Sequence, residues 1–346
     1  MTSPPDPILS VIVPVRNEER FIRPCLESIL ADAPPGGVEV IVVDGMSDDA
    51  TARIVEAIAD VDARIRLIRN PSRFVPRAMN LGIAAARGPF IGRIDGHCLV
   101  VTGYFPGCLA RLIRGGYECV GGVLVHEGGT GKERAVAAAM TSPVGVGSAR
   151  FRTARAAGAD ELVDTLSFGV YRRDLFDRIG MFDEQFVRNQ DDELNLRLIR
   201  AGFRILLAPA LRIRYFVRGS LRQLSRQYFQ YGYWKWRVFA KHGRFASMRH
   251  LAPSTFVLCL IIAAILALFN TAGRLALGLV LGLYLLVIAI EALRLRLSAK
   301  TGLANTALAL MTLHFSYGVG LLNAIVDAAW HRVRGRATTP PTDMSR

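Results

Sequence analysis

The stretch Phe90-Ile91-Gly92-Arg93-Ile94-Asp95-Gly96-His97 ends a short apolar run in an acid, a glycine and an imidazole. A carboxylate and an imidazole two residues apart, where a strand opens into a loop, can hold a divalent cation and its anionic ligand. The same residues also fit a plainer arrangement, with Asp95 capping the turn and His97 lying on the surface. A second acid, Asp44, closes the apolar run Val38–Val43 and opens the turn Gly45-Met46-Ser47-Asp48-Asp49-Ala50-Thr51. A third acidic group, Gln190-Asp191-Asp192-Glu193, stands at the head of a helical pattern, where the helix dipole favours acids and capping alone would explain them. Gly128-Gly129-Thr130-Gly131 reads as a flexible turn, because it lacks the spacing of a phosphate-binding loop.

These residues need elements to place them. Leu9–Pro14 is an apolar run of strand length, followed by a helical face of Phe21, Ile22, Cys25, Leu26 and Ile29 that Pro34-Pro35-Gly36-Gly37 stops. Val38–Val43 is β-branched and nearly all apolar, as in a parallel strand covered on both faces. Ile54, Val55 and Ile58 then mark a helix, 65–68 a strand, 75–87 a helix and 90–94 a fourth strand. This alternation predicts a doubly wound α/β domain, whose ligands lie beyond the carboxyl ends of its strands, where Asp44 and Asp95 fall. Further on, 117–125 and 168–171 read as strands, 132–140 as an alanine-rich helix, and the helix from Gln190 as ending at Gly202.

The net charge of +14 is concentrated in one segment. Between Glu193 and Glu291 there are fourteen Lys or Arg and no acid, and outside that window 29 basic residues balance 29 acidic ones. The basic segment 219–250 is interleaved with Tyr228, Phe229, Tyr231, Tyr233, Trp234, Trp236 and Phe239, side chains suited to a bilayer interface. Apolar stretches follow at 251–269, 275–293 and 303–326, each near the roughly 20 residues that cross a bilayer. A basic belt beside apolar spans points to anionic lipid, not to nucleic acid, as the partner. The belt, the trio Arg294, Arg296 and Lys300, and the trio Arg332, Arg334 and Arg336 all ask for the cytoplasmic side. Two spans satisfy all of them and three do not, so either the third apolar stretch is re-entrant or packed against the membrane face, or the rule is overridden at this end; the balance favours three membrane segments. Five scattered cysteines without a CxxC pair argue for reduced thiols, and Cys98 for a small buried residue in preference to a ligand. The N-terminal residues show no signal-peptide pattern, so the expected location is the inner membrane, multi-pass, with the first domain in the cytosol.

Val11-Ile12-Val13-Pro14-Val15-Arg16-Asn17-Glu18-Glu19 resembles the opening strand of inverting family 2 glycosyltransferases with the GT-A, Rossmann-like nucleotide-diphospho-sugar transferase fold. Val42–Thr51 resembles their nucleotide-binding turn, Asp95-Gly96-His97 falls where they carry a DxD metal motif, and Gln190-Asp191-Asp192 matches the place of their ED motif. The order and spacing agree over about residues 8–245, and the apolar tail is similar to bacterial exopolysaccharide glycosyltransferases of the succinoglycan, ExoA-type group. The resemblance implies a donor site formed by Pro14, Asn17, Glu18, Asp44, Arg77 and Asp95, with Asp44 on the base or ribose and with Arg73 and Asn80 near the nucleotide. It implies Mg2+ or Mn2+ held by Asp95, with His97 as second ligand or as a diphosphate contact. Asp191 is implied as the general base, with Asp192 as local rival, while Ser47 and Asp49 shape the turn. Three positions depart from the pattern: Gly45 replaces a second acid, His97 the second acid of the metal motif, and Gln190 the ED glutamate. A histidine suits Mn2+ better than hard Mg2+. Gln227–Arg237 lies where processive relatives carry QxxRW but lacks that pattern, which argues against a polymer-extruding synthase and leaves these residues to line an acceptor site.

The expected organisation is a catalytic domain at 1–217, an interfacial segment at 218–250, two or three membrane helices at 251–330 and a disordered basic tail at 331–346. The expected activity moves a hexose, by resemblance from UDP-glucose, to a polyprenyl-diphosphate-linked glycan. Its rivals are a transferase acting on the polyprenyl phosphate itself and a catalytically silent membrane scaffold for an export complex.

Overall fold

The computed structural model describes residues 6–334, apart from 148, 156, 218 and 244–247 and the side chain of 249. The chain forms two compact units, Met1–Val125 with Arg150–Phe216, and His126–Ala149 with Val217–Arg346. It opens with β1 (Leu9–Val15), α1 (Ile22–Ala31), β2 (Val38–Asp44), α2 (Thr51–Ala59), β3 (Ile65–Arg69) and α3 (Val75–Ala85). Next come β4 (Phe90–Arg93), β5 (Cys98–Val100), α4 (Tyr104–Arg114) and β6 (Cys119–Glu127), then α5 (Gly131–Thr141) and α6 (Pro143–Val146) of the second unit. The chain returns with α7 (Arg150–Thr153), β7 (Glu161–Leu162), β8 (Val170–Arg172), α8 (Leu175–Ile179), α9 (Gln190–Arg200) and β9 (Ile205–Phe216). It closes with α10 (Leu221–His242), α11 (Ala252–Phe269), α12 (Thr271–Ala299) and α13 (Leu303–Val333).

The first unit is built on a mixed sheet of order β3-β2-β1-β4-β8-β6-β9-β5, with β7 added on β9. β1 pairs parallel with β2 and β4, and β2 with β3, as the alternating apolar runs predict. Every residue of β1 and β2 is buried, so both faces of this half of the sheet are covered. At Gly82, α3 lies directly on Ile12 of β1, and a Cβ there would overlap that side chain. Beyond β4 the sheet turns antiparallel, through β8 against β4 and β6, and β5 and β7 against β9. The long β9 is the element that sequence patterning misses. Pro209 lies within it, and Arg212 and Arg214 alternate with apolar residues along its second half.

In the second unit the residues 126–149, which the sequence reading set inside 1–217, cluster with the C-terminal helices. The aromatic segment is one 22-residue helix, α10, and its Tyr228, Tyr233 and Trp234 are buried in the helix packing and not displayed at a surface. Backbones approach closely at two crossings of α10 with α13, where a Cβ on Gly232 would strike the Tyr317 carbonyl and one on Gly320 the Phe229 carbonyl. α11 and α12 form a hairpin around Asn270, whose side chain accepts from Gly273 N–H at 2.7 Å. All three of α11, α12 and α13 are long and apolar enough to cross a membrane. α13 continues through Val333, past the expected boundary at 330, because neither Gly nor Pro occurs between Gly320 and Gly335 and basic residues suit its last turn. The rest of the expected tail, from 335 onward, lies outside the described residues.

Gly320→Ala separates packing from helix propensity. Alanine gains about 1 kcal/mol of intrinsic helicity, but overpacking costs about 1–3 kcal/mol. Thermal unfolding of the detergent-solubilised protein is expected to shift down for Gly320→Ala. It is expected to hold or rise for Gly278→Ala, whose Cβ meets nothing within 4 Å.

Candidate active site

The site is assembled at the carboxyl ends of β1, β2 and β4. Register places Val15 opposite Asp44 and Ile12 opposite Arg93, so three loops leave the sheet side by side. Asn17 and Met46, in the loops after β1 and β2, take left-handed backbone angles of φ 56° and 58°. Such angles in non-glycine residues cost about 1–3 kcal/mol and persist where surrounding bonds over-determine them. Those bonds are present. Asn17 Nδ2 donates to Asp48 at 2.6 Å, Asp48 N–H returns a bond to Asn17 Oδ1 at 3.0 Å, and Asn17 N–H donates to Ser47 Oγ at 2.9 Å. Glu18 N–H reaches Thr51 Oγ1 at 2.7 Å, Glu19 N–H reaches Asp49 at 3.2 Å, and Ala50 N–H reaches Glu19 at 3.0 Å. Asp49 also accepts from Thr51 N–H at 2.9 Å just before α2, whose N-cap is Ala50 and not Asp49.

Asp44 is fully buried at the end of β2. It accepts from Ser47 Oγ at 2.5 Å, from Ser47 N–H and from Arg69 Nη1 at 2.8 Å. Arg69 in turn spans to Glu56 at 2.6 Å. Pro14 is buried within β1, one residue before the loop. Arg77 is half-exposed and pairs with Glu184 at 2.9 Å, while Asn80 bonds Glu184 and the Phe182 carbonyl, each at 2.9 Å. These two α3 residues therefore tether the 182–184 segment that leads to α9. Arg73, also left-handed at φ 66°, bonds by its N–H to the Asn70 carbonyl at 3.1 Å.

At the end of β4 the sequence reading had missed the central group. Arg93 is the last residue of the strand, and its side chain is only 5% exposed. Nε and Nη2 each donate to Asp95 Oδ1 at 3.1 Å, and Nη1 donates to Asp191 Oδ1. The guanidinium also lies over the Phe168 ring, 5.6 Å from its centroid. One arginine thus joins the acid after β4 to the acid at the start of α9. The signal available in the sequence was a charge inside an otherwise apolar strand, since an arginine is buried only when paired.

Asp191 reaches this place because α9 is fixed at its base. Asn189, left-handed at φ 56°, is the N-cap and makes no side-chain cap bond. Asp191 directs its carboxylate across the sheet to Arg93 instead of capping its own helix. Asn195 donates to Thr165 and the Leu166 carbonyl at 2.9 and 2.8 Å, and Arg197 donates to the carbonyls of Ile179, Gly180 and Met181. Thr165 Oγ1 also meets Asp192 at 3.3 Å. Burial pushes the Asp191 carboxyl up to about 7, the charges of Asp95 and Asp192 adding to the push and the Arg93 guanidinium opposing it.

His97 sits between β1 and β9. Its Nδ1 faces Glu18 Oε1 at 3.1 Å and its ring meets Tyr215 edge-on at 4.9 Å. Its Nε2 is buried and has no hydrogen-bond partner among the described residues. With Nδ1–H donating to Glu18, Nε2 carries a free lone pair, the arrangement of a metal-binding imidazole backed by a carboxylate. Gly96 leaves no room for a side chain, since a Cβ would lie 2.8 Å from Val15 Cγ1. No group of three or more His, Cys, Asp or Glu forms a complete metal cage among the described residues, so Asp95 and His97 would need oxygens from a bound anion to complete a cation's shell.

Comparison with known proteins gives a consistent family. Residues 10–180 match the family model for glycosyl transferase family 2. The chain is 28% identical over 262 residues to the succinoglycan biosynthesis protein ExoA of Rhizobium meliloti (strain 1021), covering 75% of this chain and 78% of that one. It is 25% identical over 301 residues to a dolichyl N-acetyl-alpha-D-glucosaminyl phosphate 3-beta-D-2,3-diacetamido-2,3-dideoxy-beta-D-glucuronosyltransferase of Methanococcus voltae, covering 84% and 88%. Among solved structures, mannosyltransferase PcManGT from Pyrobaculum calidifontis, in complex with GDP-Man and Mn2+, superposes with a TM-score of 0.54 at 19% identity over 96% of this chain and 90% of that one. The mixed sheet with loops at the ends of its parallel strands, the family match and the similarity to these enzymes agree: residues 10–180 carry a glycosyl transferase family 2 domain in a GT-A fold.

Proposed function

We propose that the chain transfers a hexose, with inversion, from a nucleoside diphosphate sugar to a lipid-linked glycan in exopolysaccharide synthesis. The observation that carries this reading is the single buried guanidinium joining Asp95 to Asp191. It holds the acid in the metal-motif position and the acid in the base position within one side chain of each other. UDP-glucose is the proposed donor and a polyprenyl-diphosphate glycan the proposed acceptor, both from the resemblance to exopolysaccharide enzymes. The similarity to the Rhizobium succinoglycan protein supports this pathway class.

In the proposed mechanism the acceptor hydroxyl oxygen attacks the anomeric carbon as its proton passes to a carboxylate oxygen of Asp191. The bond from the anomeric carbon to the phosphate oxygen breaks, and its electron pair leaves with the nucleoside diphosphate. Asp191 is suited to this because its pKa lies near neutrality, where a general base gains most. Arg93 keeps Asp191 oriented and offsets the charge of two neighbouring carboxylates. The loops zipped through Asn17, Glu18 and Asp44 form the donor's nucleotide wall, Pro14 sets the start of that wall, and Arg77 holds the 182–184 segment beside it. Asp95 and His97 would hold Mg2+ or Mn2+, which when bound neutralises charge on the departing diphosphate.

Kinetics, metal dependence and product analysis bear on these roles. Asp191→Asn is expected to lower kcat by about 10²–10⁴ with donor KM little changed; glycan synthesis that survives this change would favour a scaffold role instead. A base must be deprotonated, so the rate is expected to rise through about pH 7 and level above it. Arg93→Met is expected to move that rising limb to higher pH, because the cation that favours ionised Asp191 is gone, and Arg93→Lys to restore part of the activity. Chelation by EDTA is expected to abolish transfer and Mn2+ to restore it better than Mg2+. His97→Ala is expected to raise the metal concentration for half-maximal rate by roughly tenfold or more. Product analysis that finds one sugar on a polyprenyl phosphate would reassign the acceptor.

A further inference from the structure

The three apolar helices have different surroundings. α11 and α12 turn outward a continuous apolar surface that includes Leu258, Ile261, Ile265, Leu279, Leu286 and Leu293, and they pack on each other from the tight turn around Asn270 to the stacked rings of Phe256 and Tyr284, 4.4 Å apart. α13 is enclosed on several sides. His314 donates from Nε2 to the Val144 carbonyl at 2.7 Å, and its Nδ1 faces Tyr284 Oη at 3.2 Å. Gly318 crosses Pro253 at the foot of α11 without room for a Cβ, and Phe315 lies 5.7 Å from Phe256.

From that crossing onward α13 runs parallel to α10. Ser316 bonds Ser225 at 2.9 Å, Gly320 meets Phe229, and Tyr233 Oη donates to Asp327 at 2.5 Å, so both chains advance in the same direction. α10 carries Arg222, Arg226, Lys235, Arg237 and Lys241, a composition that hydrocarbon does not accommodate. The half of α13 beside it therefore shares a polar depth. What remains, 303–315, rises about 20 Å at 1.5 Å per residue, short of the roughly 30 Å hydrocarbon core. By contrast α11 has 18 residues, and α12 holds no charged side chain between Arg274 and Glu291.

We infer that the chain crosses the bilayer twice, through α11 and α12 alone, and that α10 and α13 lie together against phospholipid headgroups on the side where α11 enters. Charge placement agrees with this. The basic residues of α10, the trio Arg294, Arg296 and Lys300 after the second crossing, and Arg332 and Arg334 at the end of α13 then face one anionic surface. Three crossings would strand Arg332 and Arg334 on the opposite side.

The test uses the full chain in native membranes and does not depend on the proposed activity. Single cysteines are placed at Val61→Cys, Thr271→Cys and Val333→Cys in a Cys259→Ser background, the four other cysteines being buried. Val61 and Val333 are both exposed, and Thr271 lies at the hairpin tip. A membrane-impermeant maleimide is applied to spheroplasts and to inverted vesicles, with denatured protein as the reactivity control and Arg334→Cys as the second C-terminal position. Val61→Cys and Val333→Cys are expected to label from one face and Thr271→Cys from the other. Labelling of the C-terminal positions from the face that labels Thr271→Cys would establish three crossings and overturn the inference. Labelling of Thr271→Cys from the face of Val61→Cys would show that the hairpin does not cross, with the same result.

Discussion

The site depends on a buried positive charge that exists only because two negative ones meet it. An unpaired guanidinium at the end of a covered strand would forfeit its hydration, at a cost of several kcal/mol. Asp95 and Asp191 would repel one another if Arg93 were absent. Each of the three is tolerable because of the other two, so the geometry tightens as a unit. Breaking a buried pair from one side costs about 3–5 kcal/mol, which makes Arg93 a structural constraint as well as an electrostatic one. Its place is fixed by the strand register: β4 pairs with β1 on one side and β8 on the other, and the Phe168 ring supports the guanidinium from the β8 side.

The loops after β1 and β2 show the same economy in backbone form. Asn17 and Met46 take left-handed conformations on consecutive loops: Asn17 is held by bonds that run between the loops, and Met46 is bracketed by the Ser47–Asp44 bonds within its own. The loops can carry that strain because β1 and β2 beneath them are buried along their whole length and paired in full register. Asp44 illustrates how a carboxylate can serve by organising. With Ser47 and Arg69 occupying both oxygens, it sets the curvature of the turn, and through Arg69 and Glu56 it connects that turn to α2.

How much of this could be read from sequence follows the physics of each element. β1, β2, α1 and the first α/β alternation were legible because apolar runs of fixed period leave few alternatives. β9 was not, because its Pro209 and alternating arginines look like a loop until β5 and β7 pair with it. The order of Asp95, His97 and Asp191 along the chain could be read, but the tie that Arg93 makes between Asp95 and Asp191 could not, since its partners lie two and 98 residues away and only the fold brings them together. Arg77 and Asn80 show the converse. Their types suited a nucleotide, yet in the folded chain they bond Glu184, a residue more than a hundred positions downstream.

Hydropathy has the same limitation at the other end of the chain. It reports that a helix is too apolar for water but not what covers it. α11 and α12 keep their apolar side chains outward, whereas α13 spends much of its length against protein and meets α10 at glycines that bring the backbones together. Three helices of similar composition are therefore packed differently, α13 more closely than the hairpin. Small residues make the difference: at Gly318 and Gly320 no Cβ stands between α13 and the backbones of α11 and α10, so close dispersion contacts form along that face.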